Sequence, residues 1–342
     1  MCFISLRFII IYQEEGHMKF VTLGSSGLEV SSICIGGNSW GAKGRREWAP
    51  FDKADSAPFF RRALDHGINF FDTADAYNQG ESERIIGETL MDYAKRDDIV
   101  ISTKVGLPMG DGANQAGLGR KHLIQSIDQQ LKRLKTDYID LYQIHRLDNK
   151  TPLEETLDTL TEIKKAGKIL YIGGSTMPAY KFAQLAAIAE CKGYVRPIAM
   201  QNLYNLIQRE QEKEMIPLCL ELGVGIIPYS PLARGVLAGN RTKSGAGDTE
   251  RSKNDRGLKT GDSLFRPSDR KVVNAIVNTA TRFDVKPTQV ALAWLLSKAV
   301  MAAPIIGVTK LEHIDDAVAA LDLRLSKNDI ERLEKHYQFR CA

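Results

Sequence analysis

Apolar residues recur along this chain in short β-type runs, separated for most of its length by segments with helical spacing. The runs are ICIGG (33–37), INFFDTA (68–74), IVISTKV (99–105), YIDLYQIH (138–145), ILYIGGS (169–175), IAMQN (198–202), GVGIIPYS (223–230) and PIIGV (304–308). Each is rich in Ile, Val, Phe or Tyr, the composition that strands buried on both faces require. Between them, Leu123, Ile124, Ile127, Leu131 and Leu134 fall on one helical face. Leu153, Leu157, Leu160 and Ile163 repeat the pattern and stop at Gly167, and Phe182, Leu185, Ala186 and Ala189 form a third stripe. Strand alternating with helix predicts a parallel sheet, and eight repeats predict closure into an α/β (β/α)8 TIM barrel. The alternative, a doubly wound open sheet, usually carries G-x-G-x-x-G after its first strand, and no such motif follows ICIGG.

Two segments break the alternation. Residues 1–17 (MCFISLRFIIIYQEEGH) are apolar at first but too short to span a bilayer, and no small-residue cleavage site follows. They read as an N-terminal extension, non-native or disordered, before a barrel domain of residues 18–342. That domain opens at Met18 with the self-contained hairpin pattern MKFVTLGSSGLEVSS. Residues 239–268, after the seventh strand, are rich in Gly, Ser and charge, and predict a long surface loop, either a tolerated insertion or a lid.

Composition narrows the function classes. The 342 residues are 43% hydrophobic and 26% charged, an ordinary globular balance. The net charge of +4 is dispersed and not gathered on one segment, which argues against a nucleic-acid partner and leaves room for an anionic ligand such as a nucleotide phosphate. Neither a membrane partner nor a metal cluster is expected. Cys2, Cys34, Cys191, Cys219 and Cys341 are odd in number, far apart and without a C-x-x-C, which points to a reducing, cytoplasmic setting.

In a (β/α)8 barrel the chemistry sits at the C-terminal ends of the strands. Reading those ends gives Asp72, Lys104, His145, Ser175, Gln201 and Tyr229, with Tyr77 in the loop after the second strand. Polar and ionisable groups ending six strands are costly to bury unpaired, but at one mouth they satisfy one another and a ligand. Taken singly, Asp72 also reads as a cap, Tyr77 as a rim aromatic and His145 as a core histidine. Lys104 reads most simply as the partner of Asp72.

The sequence resembles the aldo-keto reductase superfamily from Met18 to about residue 337. The likeness rests on FDTADAY, STK, TDYIDLYQIHR, LTEIKKAGKILYIGGS, MQNLYN, IPYSPLARG and PIIGVTK. KTPLEETL and the long strand-seven loop resemble one branch in particular, which is distantly similar to potassium-channel β-subunits. The resemblance implies a catalytic tetrad of Asp72, Tyr77, Lys104 and His145, with NADPH as hydride donor to a small carbonyl substrate. Tyr77 would donate the proton, its phenol pKa lowered by Lys104; Asp72 would hold Lys104, and His145 would orient the carbonyl. It further implies that Ser175, Thr176 and Gln201 hold the carboxamide, although the family commonly has Asn where Thr176 stands. Tyr229 would stack on the nicotinamide. Ser230, Pro231, Leu232, Ala233, Arg234 and Gly235 would surround the pyrophosphate, and Gly307, Thr309, Lys310, His313 and Asp316 the adenosine phosphate. Ser39 and Trp40 would lie near the nicotinamide ribose, and Trp48 near the substrate. Two other functions fit parts of the pattern: a slow NADPH-sensing regulatory subunit, whose relatives tend to lack the tetrad histidine, and a Schiff-base aldolase working through Lys104.

Overall fold

The computed structural model describes residues 18–41, 52–239, 266 and 268–340. The extension 1–17, Trp48 and nearly all of the segment 239–268 lie outside the described residues. A hairpin of β1 (Phe20–Thr22) and β2 (Glu29–Ser31) comes first. Eight parallel strands follow: β3 (Cys34–Gly36), β4 (Phe70–Asp72), β5 (Val100–Val105), β6 (Ile139–Ile144), β7 (Ile169–Ser175), β8 (Pro197–Gln201), β9 (Gly225–Ile226) and β10 (Ile305–Gly307). Each hydrogen-bonds to the next in chain order, and β10 returns to β3, with Ile306 opposite Ile35. Between β9 and β10 the ring closes through a parallel bridge of Tyr229 with Ile305, whose N–H donates to the Pro228 carbonyl at 2.9 Å.

Helices cover the outside. They are α1 (Lys53–Asp65), α2 (Glu81–Thr89), α3 (Arg120–Leu134), α4 (Leu153–Lys165), α5 (Ala179–Lys192), α6 (Met215–Leu222), α7 (Asp269–Phe283), α8 (Pro287–Leu296), α9 (Glu312–Ala319) and α10 (Lys327–Glu334). The stripes expected on 123–134, 153–163 and 182–189 are the buried faces of α3, α4 and α5, except that Ile124 is exposed. Among the described residues no helix is long and apolar enough to cross a membrane.

The strand period of two sorts side chains into an inner and an outer set. Phe71, Ile101, Tyr142 and Ile144 point outward into the layer packed by the helices. Phe70, Val100, Leu141 and Ala199 point inward and fill the lower barrel with Leu23 and Val30 of the hairpin, which plug its base. Two residues further up each of these strands the inner set turns polar: Asp72, Ser102, Gln143 and Gln201. One step higher stand Lys104 and His145. The fold therefore carries a polar upper layer on an apolar plug.

Candidate active site

Lys104 is the hub of the upper layer. It has no exposed surface, and its Nζ donates to Asp72 Oδ2 at 2.6 Å, to the Thr73 carbonyl at 2.6 Å and to Tyr77 Oη at 3.3 Å. Three acceptors use all three ammonium protons. Burial opposes the charge, but Asp72 and Tyr77 outweigh it and hold the ammonium pKa above the ordinary lysine value. Asp72 is satisfied on its other side too. Its Oδ1 accepts from Ser102 Oγ at 3.0 Å, Gln143 Nε2 at 3.1 Å and Gln201 Nε2 at 3.0 Å. A buried ion pair with both carboxylate oxygens hydrogen-bonded is held in place, and losing one partner would strand a charge.

Tyr77 and His145 complete the mouth. Their rings meet edge to face with centroids 5.7 Å apart, and Lys104 Nζ lies 4.8 Å from the Tyr77 ring centre. His145 follows β6 directly, and its backbone N–H donates to the Val105 carbonyl at 2.9 Å. Burial, then the positive charges of Lys104 and Arg146, push the imidazole pKa down to about 3, so the ring is neutral at physiological pH. Its enclosed Nδ1 has no hydrogen-bond partner among the described residues. The four tetrad positions expected from sequence are thus brought together.

The positions expected to hold a cofactor spread around the same rim. Ser175 Oγ donates to the Gln201 carbonyl at 2.9 Å and lies 3.2 Å from Thr176 Oγ1. Thr176 adopts φ 46°, a left-handed conformation that is strained for a β-branched residue. Its N–H reaches Asn202 Oδ1 at 2.9 Å. Tyr229 is half-buried. After it the chain turns left-handed at Ser230 (φ 52°), Ala233 (φ 48°), Arg234 (φ 55°) and Gly235 (φ 89°), with buried Pro231 and half-buried Leu232 between. Within this turn the Ala233 N–H donates to the Ser230 carbonyl and the Gly235 N–H to the Leu232 carbonyl, each at 2.9 Å. Among the described residues, a Cβ placed on Gly235 or on exposed Gly307 would meet no atom within 4 Å.

Beyond β10, Thr309 N–H donates to His313 Nδ1 at 3.3 Å. Lys310 is exposed, 3.3 Å from Glu312. Asp316 already binds Lys286 through both oxygens, at 2.8 and 3.0 Å. Ser39 Oγ donates to the Val308 carbonyl at 3.4 Å, joining β3 to β10 at the rim. Trp40 is placed apart from the rim groups, fully buried with its ring 4.4 Å from that of Phe60. Sequence reasoning passed over Ser102, Gln143 and Asn202. The first two were legible from strand parity, being two residues below Lys104 and His145; Asn202 carries no such signal.

Comparison with known proteins gives the family of the chain and several of its relatives. The profile of the aldo/keto reductase family matches residues 32–338. A protein of Schizosaccharomyces pombe provisionally named aryl-alcohol dehydrogenase is 39% identical, over 92% of this chain and 94% of its own length. Versiconal hemiacetal acetate reductase of Aspergillus parasiticus is 37% identical over 94% of this chain and 97% of its own length. Aldo-keto reductase dtxS3 of Metarhizium robertsii is 37% identical over 95% and 92% respectively.

Proposed function

The chain belongs to the aldo/keto reductase family, and on that premise we propose that it catalyses the reversible, NADPH-dependent reduction of an aldehyde or ketone to an alcohol. The observation that carries this reading is the buried chain of contacts from Asp72 through Lys104 to Tyr77, with neutral His145 beside it. A bound nicotinamide would supply hydride to the carbonyl carbon. Tyr77 donates its proton to the carbonyl oxygen as negative charge develops there. The Lys104 ammonium, 3.3 Å from the phenol oxygen, stabilises the phenolate that remains. Asp72 keeps that ammonium charged and aimed. His145, unable to hold a proton at neutral pH, orients the carbonyl as a neutral hydrogen-bonding group.

The residues present fit a dinucleotide. Ser175, Thr176 and Gln201 would hold the carboxamide, Tyr229 the ring face, and residues 230–235 the pyrophosphate. Gly307, Thr309, Lys310, His313 and Asp316 would flank the adenosine phosphate, and Ser39 and Trp40 the ribose side. Of these, Asp316 is occupied by Lys286, Gln201 Nε2 is occupied by Asp72 and Trp40 is enclosed, so the reading rests least on them. A Schiff-base role for Lys104 is disfavoured, because an amine with three acceptors and a raised pKa offers no lone pair for attack.

Tyr77→Phe should lower kcat for a responsive carbonyl by about 10²- to 10⁴-fold, the range of a lost general acid. NADPH affinity, read by fluorescence titration, should barely change. A variant that keeps a substantial fraction of wild-type turnover would remove Tyr77 from the proton-donor role. NADPH preference over NADH is assigned to Lys310 with the Thr309 hydroxyl. The exposed contact with Glu312 contributes little and leaves Lys310 free to swing to a 2′-phosphate. Lys310→Ala should weaken NADPH binding by about tenfold, the lower end for a charged hydrogen bond. It should leave NADH binding unchanged and reduce the salt dependence. Equal losses for both cofactors would place the 2′-phosphate contact elsewhere.

A further inference from the structure

Beneath the turn that carries Tyr77 lies a second cluster of buried charge that the reaction above does not use. Glu83 of α2 is fully enclosed, and its Oε2 pairs with Arg133 Nε of α3 at 2.6 Å. Its Oε1 accepts from Thr103 Oγ1 at 2.6 Å and Gln130 Nε2 at 2.9 Å. Asp75, two residues before Tyr77, is equally enclosed. Its backbone N–H donates to the Lys104 carbonyl at 3.2 Å, and its Oδ1 accepts the Ala76 N–H at 2.6 Å. Its Oδ2 is buried with no hydrogen-bond partner among the described residues.

Charge counting fixes the state of this carboxyl. The groups that face it are Glu83 from α2, Arg133 from α3, Lys104 from β5 and Tyr142 from β6. Arg133 is committed to Glu83 and Lys104 to Asp72, each at 2.6 Å. An ionised Asp75 would be a second buried carboxylate beside Glu83, sharing its one nearby cation and leaving one oxygen without a donor. Burial, then the Glu83 charge, push its pKa up to about 8.

The cluster and the Tyr77 turn are packed on each other. Tyr77 N–H donates to the Ala74 carbonyl at 3.1 Å, so Asp75 and Ala76 are the middle of one tight turn. Asn78 (φ 52°), Gln79 (φ 57°) and Gly80 (φ 87°) then continue left-handed. The left-handed φ at Gly80 favours glycine, and a Cβ there would also press on Arg133 Cδ at 2.7 Å, displacing the side chain that pairs with Glu83. Movement of Asp75 away from Glu83 is therefore movement of Tyr77 relative to Lys104.

We propose that Asp75 is a positioning residue for Tyr77 that works in its protonated form, and that its ionisation loosens the turn and shuts down proton delivery at alkaline pH. Asp75→Asn keeps the shape and removes the ionisation. The turnover arm of the test rests on the reductase reading; the infrared and melting arms do not. In wild type, kcat at pH 9 should fall about tenfold below its value at pH 6.5, following the protonated fraction of a group near pH 8. In Asp75→Asn the same ratio, read within that protein, should stay within about twofold. Superimposable alkaline limbs would overturn the coupling to Tyr77.

The folded carboxyl keeps its proton while the unfolded one has lost it, so wild type should lose heat stability relative to Asp75→Asn as pH rises from about 4 to about 8, and no further above that. The infrared difference between wild type and Asp75→Asn at pH 7 should show the carbonyl stretch of a protonated carboxyl. Its absence overturns the proposal whether or not any carbonyl is turned over. Should the variant not fold, titrating the same band in wild type with isotope-labelled aspartate decides between the protonated and the ionised carboxyl in the same way.

Discussion

His145 stands where the barrel interior meets the mouth, and its surroundings keep the ring neutral. Burial and the neighbouring Lys104 and Arg146 charges lower its pKa to about 3, below the ordinary histidine range. The sign of the consequence follows from proton counting. Below about pH 6.5 the unfolded chain takes up a proton at this residue that the folded chain refuses until about pH 3. Stability is therefore lost as pH falls through that window, by up to about 1.4 kcal/mol per pH unit from this group. His145→Gln should flatten the acid side of the stability curve between about pH 6 and pH 4, measured by urea unfolding. Wild-type kcat/KM should show no inflection near pH 6.5 that belongs to His145; an inflection there that His145→Gln abolishes would mean the ring titrates in the working enzyme. The grouping of Asp72, Tyr77, Lys104 and His145 was legible in the sequence because each breaks an apolar strand at its C-terminal end or follows one closely. The groups that hold it were not. Asp75, Glu83, Gln130 and Arg133 look like ordinary polar residues of a loop and two helices, and only the packing of α2 and α3 on β5 buries them together.

Elements were legible in proportion to their periodicity. The expected strand 169–175 is β7, whereas GVGIIPYS yields only Gly225–Ile226 as regular strand. Pro228 has no N–H to continue the ladder, although Ile227 and Tyr229 still donate to the Met200 and Asn202 carbonyls at 3.0 and 3.1 Å. Helix α8 shows no amphipathic stripe, because Val290 through Leu295 are all buried. Close approach of helices is equally silent in sequence. At Gly87 of α2 an added Cβ would lie 2.4 Å from the Leu134 carbonyl carbon and 2.5 Å from the Arg133 carbonyl oxygen, at the end of α3. Both obstacles are backbone, so the helices must part, and the Glu83–Arg133 pair between them must stretch. Gly87→Ala should cost about 2 kcal/mol in urea unfolding, within the range for overpacking a core and against the normal helix preference for Ala. Gly307→Ala is the control: its Cβ meets no atom of the described residues within 4 Å, so its stability should be unchanged. Equal stability of Gly87→Ala and wild type would show that α2 and α3 separate freely.

At the scale of the molecule, the far end of the chain closes the structure around segments distant in sequence. Arg340 donates from Nε to the Ile207 carbonyl at 2.7 Å and from Nη2 to Asp269 Oδ2 at 2.6 Å. Its N–H reaches Glu210 Oε1 at 3.2 Å, which also accepts from Tyr337 Oη at 2.8 Å. One residue thus joins the loop after β8, the first residue of α7 and the chain terminus. The Arg340 and Asp269 side chains are only 10% and 6% exposed, so solvent screens the pair weakly. Burial leaves the Asp269 pKa above the ordinary carboxylate value even with Arg340 present. Removing the cation should therefore hurt more than never having had the pair. Arg340→Met should lose about 3 kcal/mol near neutral pH, the low end for a broken buried pair, because the Arg266 N–H still donates to Asp269 at 2.6 Å. The loss should shrink as pH falls, because burial holds the Asp269 pKa above the ordinary carboxylate value and the stranded carboxyl takes up a proton in the fold. Adding Asp269→Asn to Arg340→Met should recover part of the loss, since no charge is then left unpaired. If the two substitutions instead add, with the double variant less stable than either alone by the sum of the single losses, the ion pair is not what holds the end of the chain to α7.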